Sequence, residues 1–196
     1  MRSILSSLRE KNMKWKVDLL SSYFKKGETI LDFGCGDLTF ANELKKKNKD
    51  LDIIGVDIIE FPDRVKNIKF IKYDGYTLPF KDKSFDTVVS IYVFHHCEDA
   101  IASFKECARV AKNRVFFVES VYRHPLELPF MKIIDWFYNK IKPESVFLSY
   151  QFFSYDDWVR AFAKNDLKMG SFKKIKQIFL PSFLPIGISY IFEVIK

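Results

Sequence analysis

Ile30-Leu31-Asp32-Phe33-Gly34-Cys35-Gly36 is the stretch that decides the fold. An apolar run that closes on an acidic residue and a Gly-x-Gly pair predicts a buried strand turning into a loop of bare backbone. Glycine has no side chain to hold a ligand away. The Leu38 to Lys47 pattern predicts a helix whose N-terminus faces that loop, with Lys45, Lys46 and Lys47 complementing the negative end of its dipole. A second apolar run, Leu51 to Val56, ends on Asp57, 21 residues after Gly36 (57 − 36), close to the spacing at which an acidic residue meets a ribose diol. The third glycine of a G-x-G-x-x-G fingerprint is Thr39 here, which argues against a dinucleotide pyrophosphate.

Outward from this stretch, strands and helices alternate. Phe70-Ile71-Lys72-Tyr73 before Asp74-Gly75 reads as a third strand, Phe85 to Ser90 as a fourth, Asp99 to Ala111 as a helix and Arg114 to Glu119 as a fifth strand. Such alternation predicts an α/β fold with a parallel sheet wound on both faces. About ten residues, Pro62 among them, separate Asp57 from Ile68, so the second crossover is expected to be a short helix or turn. Residues 1–26 read as an N-terminal helical region carrying Ile4, Leu5, Leu8, Val17, Leu19, Leu20 and Tyr23, and 121–150 as an inserted aromatic segment, a lid or substrate wall. Ser154-x-x-Asp157 predicts a capped helix start, with Asp in place of the preferred Glu or Gln. Phe172 to Phe179 and Tyr190 to Ile195 then read as the last two strands, joined by the Pro181 to Gly187 loop.

Asp32, Gly34, Cys35 and Gly36 resemble motif I of the class I S-adenosylmethionine-dependent methyltransferases, often written D-x-G-C-G-x-G; the last glycine of that pattern is Leu38 here. Leu78-Pro79-Phe80 followed by Ser84-Phe85-Asp86 resembles the same family's passage into strand four, and His95 and His96 fall where many members carry a histidine-bearing turn. The resemblance covers residues 27–119. It implies a Rossmann-like, doubly wound, seven-stranded sheet, mostly parallel with an antiparallel last strand, in a single methyltransferase domain over residues 1–196. It also implies S-adenosyl-L-methionine as cofactor, held by Asp32, Gly34, Cys35, Gly36, Asp57, Ile58, Asp74, Gly75 and Ser90, with Asp74 accepting from the adenine amino group. No catalytic residue is fixed by it; His95 and His96 are the candidates for a general base, since imidazole titrates in the useful range. Trp136, Phe137 and Tyr138 are the candidates for contact with a small apolar or aromatic acceptor.

Composition bounds the alternatives. A chain of 196 residues with 48% hydrophobic and 29% charged residues fits one folded domain. No apolar run reaches the length of a membrane span, so stable membrane insertion is not expected and a cytoplasmic location is; an amphipathic helix over 127–141 could lie on a membrane surface or on another subunit. Cys35, Cys97 and Cys107 lack zinc-type spacing and are odd in number, which predicts reduced thiols. No metal site is expected, because adjacent residues such as His95, His96, Cys97 and Glu98 seldom converge on one ion. No G-x-S-x-G nucleophile motif is present. The net charge of +7 comes from 25 Lys and 7 Arg against 25 Asp and Glu, concentrated at Lys45-Lys46-Lys47 with Lys49 and at Lys173-Lys174 with Lys176. That balance keeps an RNA or protein methyltransferase as an alternative, although arginine is the usual residue for bidentate phosphate recognition. A non-catalytic binding or regulatory subunit of the same fold is the alternative from a different class.

Overall fold

The computed structural model describes residues 13–140, 149–165, 167–176 and 188–195, with residues 137–140, 176 and 188 described by backbone alone. The readings that fall on Ile4, Leu5 and Leu8, on Gln177 to Phe179 and on the Pro181 to Gly187 loop lie outside the described residues. A helix over 13–20 (α1) leads into β1 (Thr29–Phe33), and α2 (Thr39–Lys47), β2 (Asp52–Asp57), β3 (Lys69–Lys72) and β4 (Phe85–Ile91) follow. Next come α3 (Ala100–Val110), β5 (Ala111–Tyr122), α4 (Leu128–Lys140), β6 (Phe153–Ser154), α5 (Tyr155–Lys164), β7 (Lys168–Lys176) and β8 (Ile188–Ile195).

One sheet runs in the order β3-β2-β1-β4-β5-β8-β7, with β6 pairing β5 off the path. Strands β1 to β5 are parallel, and β8 is antiparallel to both of its neighbours, β5 and β7. The reversed strand is thus inserted one place from the edge. The second crossover is a turn without a helix, the shorter of the two forms, short helix or turn, that the Asp57 to Ile68 spacing allows. Strand β5 is longer than its apolar run suggests. Its start pairs Phe85 with Ala111 across a bulge, and its far end is held by Ser189 and Phe153.

Two cores cover the sheet, because strands buried on both faces need apolar partners on each. One face carries Val17, Leu20, Ile30, Leu44, Ile53 and Phe116 under α1 and α2. The other carries Phe94, Phe104, Phe117, Trp158, Phe162 and Phe192 under α3 and α5. Phe117 stacks on Phe192 at 4.8 Å between ring centroids, so many of the chain's aromatic residues are core.

Three polar devices tie the elements together. Arg114, on β5, donates to Thr87 Oγ1 (3.0 Å), Glu193 Oε1 (2.8 Å) and Glu28 Oε1 (3.1 Å), joining β4, β8 and the approach to β1. Asp86 accepts from both the backbone and the hydroxyl of Thr29, at 3.0 and 2.8 Å. Arg109 donates to the carbonyls of Phe80 (2.8 Å) and Leu78 (3.0 Å) while Glu106 accepts from Leu78 N, which fixes the Leu78-Pro79-Phe80 passage against α3.

Candidate active site

Parallel strands end together, and the residues just past their C-terminal ends converge at the rim of the sheet. Past β1, Gly34 and Gly36 have φ of +69° and +53°, the left-handed region that glycine enters without penalty. A Cβ on Gly34 would lie 2.4 Å from Val93, so this position must be glycine for the β4 end to approach. Gly36 has open space where its Cβ would stand, which leaves its backbone bare.

The missing third glycine is accommodated from β2. Leu38 occupies the N-cap of α2 at φ 65°, yet its side chain is fully buried, and a Cβ on Gly55 would lie 2.2 Å from Leu38 Cδ2 and 2.7 Å from Cys35 Sγ. Leu38 therefore points into the core. The Cys35 thiol is buried, and burial followed by the charges of Asp32 and Asp57 pushes its pKa far up, so it stays a neutral, inert filler.

Asp57, at the end of β2, accepts from Gly36 N through Oδ2 at 2.8 Å and from Ile59 N through Oδ1 at 3.2 Å. Tyr73 N bonds to Asp57 O at 3.1 Å, and a Cβ on Gly75 would sit 3.4 Å from Ile58 Cγ2. Gly36, Asp57, Ile58, Asp74 and Gly75 thus form one contiguous rim. Asp74 Oδ1 accepts from Tyr76 N (2.8 Å) and Thr77 N (2.9 Å), and these two bonds lower its pKa. Exposed Tyr76, whose hydroxyl donates to Glu98 at 2.8 Å, stands beside this turn, a neighbour that its sequence position does not single out.

Asp32 and Ser90 are buried at the ends of adjoining strands β1 and β4, and Asp32 Oδ2 and Ser90 Oγ have no hydrogen-bond partner. Burial, then the charges of Asp57 and Asp37, push the Asp32 carboxyl up to about 8. Orphaned polar atoms of this kind fit a polar, cationic ligand at the glycine loop, because leaving them unpaired is costly.

His95 is 4% exposed in the turn after β4. Its Nδ1 meets Glu119 Oε2 at 2.6 Å, and Glu119 Oε1 accepts from Val93 N (2.8 Å) and Phe94 N (2.7 Å). Asp135 Oδ1, from α4, lies 3.4 Å from His95 Nε2 and 3.8 Å from His96 Nε2, and Phe152 stacks on the His95 ring at 4.8 Å. Burial pulls the His95 imidazole down, but Glu119 and Asp135 outweigh it and hold it at about 9. The sequence signals the two histidines; Glu119, Asp135 and Phe152 arrive from three other segments and carry no local signature. Trp136 is exposed on α4 with Phe130 and Ile133, Leu126 is exposed in the turn Pro125–Glu127 before it, and the side chains of Phe137 and Tyr138 lie outside the described residues.

Residues 31–118 match the family model described as a methyltransferase domain. The chain is 35% identical over 92 residues to a demethylmenaquinone methyltransferase of Thermotoga maritima, an alignment covering 44% of this chain and 40% of that protein. It is 33% identical over 93 residues to a probable tRNA methyltransferase 9B of Mus musculus, covering 44% of this chain and 20% of that one. The chain spans less than half the length of these curated relatives. Among solved structures, a SAM-dependent methyltransferase of Methanosarcina mazei superposes with a TM-score of 0.66 at 19% identity, covering 91% of this chain and 96% of that one, which establishes a shared fold.

Proposed function

The chain belongs to the class I S-adenosylmethionine-dependent methyltransferases through residues 31–118, and on that premise we propose that it transfers a methyl group to a small apolar or aromatic acceptor. The observation that carries the reading is the glycine loop pinned by Asp57, with the orphaned carboxyl oxygen of Asp32 buried at the end of the same strand. S-adenosylmethionine supplies an already activated methyl on a sulfonium, so the protein's work is to align the acceptor and exclude water.

In this reading the bare backbone at Gly34, Cys35 and Gly36 lets the cofactor's amino-acid end approach. Asp32 and Ser90 supply the polar partners for it at the strand ends. Asp57 accepts from the ribose hydroxyls through its remaining lone pairs while it holds Gly36; Ile58, Asp74 and Gly75 line the adenine end. His95, protonated at neutral pH, acts as a positioning group between Glu119 and Asp135. The proton-accepting role falls to His96, whose side chain is 16% exposed. Helix α4 and the turn before it serve as the acceptor wall, and the exposed Leu126, Phe130, Ile133 and Trp136 favour an apolar substrate.

The lysine clusters support RNA less well. Lys46 and Lys47 at the end of α2 pair with Glu43 and Asp18, and Lys173 and Lys174 lie on β7, the edge strand farthest from β3, where lysines guard against edge pairing. Calorimetry with S-adenosylmethionine tests the proposal. Wild type should bind, and Asp57→Ala should weaken binding by roughly 1 to 3 kcal/mol through the lost charged acceptor. No heat at millimolar cofactor would leave only a scaffold.

A further inference from the structure

The group His95, His96 and Asp135 has a second capacity besides the positioning and proton-accepting roles proposed above, and an ion bound there takes His96 out of the proton-accepting role. Among the described residues it is a set of side chains whose ligand atoms lie within 4.8 Å of one another and could hold a metal ion. A carboxylate only accepts, so the 2.6 Å contact between Glu119 Oε2 and His95 Nδ1 keeps a proton on Nδ1, and an ion bound at Nε2, the atom that faces Asp135, takes the place of the second imidazolium proton, which is released to solvent. His95 Nε2 is buried and has no hydrogen-bond partner, since Asp135 Oδ1 at 3.4 Å does not complete one in good geometry.

We infer that His95 Nε2, His96 Nε2 and the Asp135 carboxylate form a site for one zinc-class divalent cation, with Glu119 orienting His95. Nitrogen and oxygen ligands about 2.0 to 2.2 Å from a tetrahedral ion stand about 3.3 to 3.5 Å apart. Two separations from Asp135 Oδ1, 3.4 Å to His95 Nε2 and 3.8 Å to His96 Nε2, are already close to that spacing. The third, between the two histidines, is within 4.8 Å, with the His96 ring 3.9 Å from the His95 ring between centroids. Residues 95 and 96 are neighbours in sequence, an arrangement that seldom converges, but the tight turn Phe94–His96 brings both rings to one side and α4 supplies the carboxylate.

The supporting groups match those of known metal sites. A metal-ligating histidine characteristically donates its second N–H to a carboxylate, which fixes tautomer and ring orientation. Here Glu119 is that carboxylate, and it is itself held by two backbone N–H groups. Two imidazoles and one carboxylate are the borderline donor set that zinc takes, leaving a fourth position for water or an oxygen-donor acceptor. Only what fills that fourth position rests on the proposed methyl transfer; the ion site itself does not.

The test uses the full chain, stripped with a chelator and titrated with zinc by calorimetry and with cobalt by visible absorption. One ion should bind per chain, with the absorption bands of a four-coordinate nitrogen and oxygen site and no thiolate charge-transfer band. His96→Ala and Asp135→Asn, each checked for unchanged circular dichroism, should each weaken binding by about 100-fold. Absence of binding, a thiolate band, or affinity undiminished in Asp135→Asn would overturn the site. Cofactor affinity measured on the same metal-free protein reports separately on the methyltransferase reading, so the two failures are distinguishable.

Discussion

Leu38 holds a left-handed conformation that costs a non-glycine residue about 1 to 3 kcal/mol, and it is kept there by what its side chain fills. Its side chain occupies the room that Gly55 leaves at the middle of β2. The two positions are one adaptation. Gly55→Ala should destabilise the protein by about 1 to 3 kcal/mol through overpacking, and Leu38→Ala in the same chain should cost less than it does alone. Strictly additive costs in a urea double-mutant cycle would contradict the coupling.

Asp32 makes a second prediction at this scale. Its carboxyl is held at about 8 in the fold against the 3.8 of an ordinary aspartate, so between these the folded chain keeps a proton that the unfolded chain has lost. Its contribution to stability is therefore highest below the unfolded pKa, falls as pH rises toward 8 and is level above it. A cationic cofactor beside it favours the ionised form. Binding at pH 7 should then release a proton, seen as an enthalpy that varies with the buffer's ionisation heat, and Asp32→Asn should remove that variation. An enthalpy independent of buffer would show that the cofactor's charge lies elsewhere.

At the scale of elements, α5 shows what is legible locally. Ser154-x-x-Asp157 reads as a capping box, and the structure forms it: Ser154 Oγ accepts from Asp157 N at 3.1 Å and Asp157 Oδ2 from Ser154 N at 2.9 Å. Burial raises the Asp157 pKa, but Ser154, Arg160 and Tyr122 outweigh it and hold the carboxyl well below its usual range. A depressed carboxylate stabilises above its unfolded pKa and loses that contribution as pH falls. Ser154→Ala should cost about 1 kcal/mol at pH 7 by urea unfolding, and the gap from wild type should narrow on acidification. A gap that widens in acid would contradict the cap. The His95 surroundings were illegible for the opposite reason: Glu119, Asp135 and Phe152 meet the ring only through tertiary packing. Strand β5 was under-read because sheet partners, not its own apolar pattern, extend it to Tyr122.

Over the whole molecule, the alternation of apolar runs and helical periods carried the parallel strands, most plainly the buried β1, β4 and β5, while the reversed strand was legible only through the family resemblance. The extra pairing of β6 with β5 involves two residues, Phe153 and Ser154, and no pattern that short is readable. The rim from Gly36 through Asp57 to Asp74 was legible in order but not in contact; that Asp57 holds the loop as well as facing the rim is a tertiary fact. The most direct measurement is a crystal structure with S-adenosylhomocysteine. The account predicts the nucleoside between Asp57 and Asp74, with the amino-acid tail against Gly34 to Gly36 near Asp32. A nucleoside bound away from that rim, or a rim left empty under saturating ligand, would contradict it.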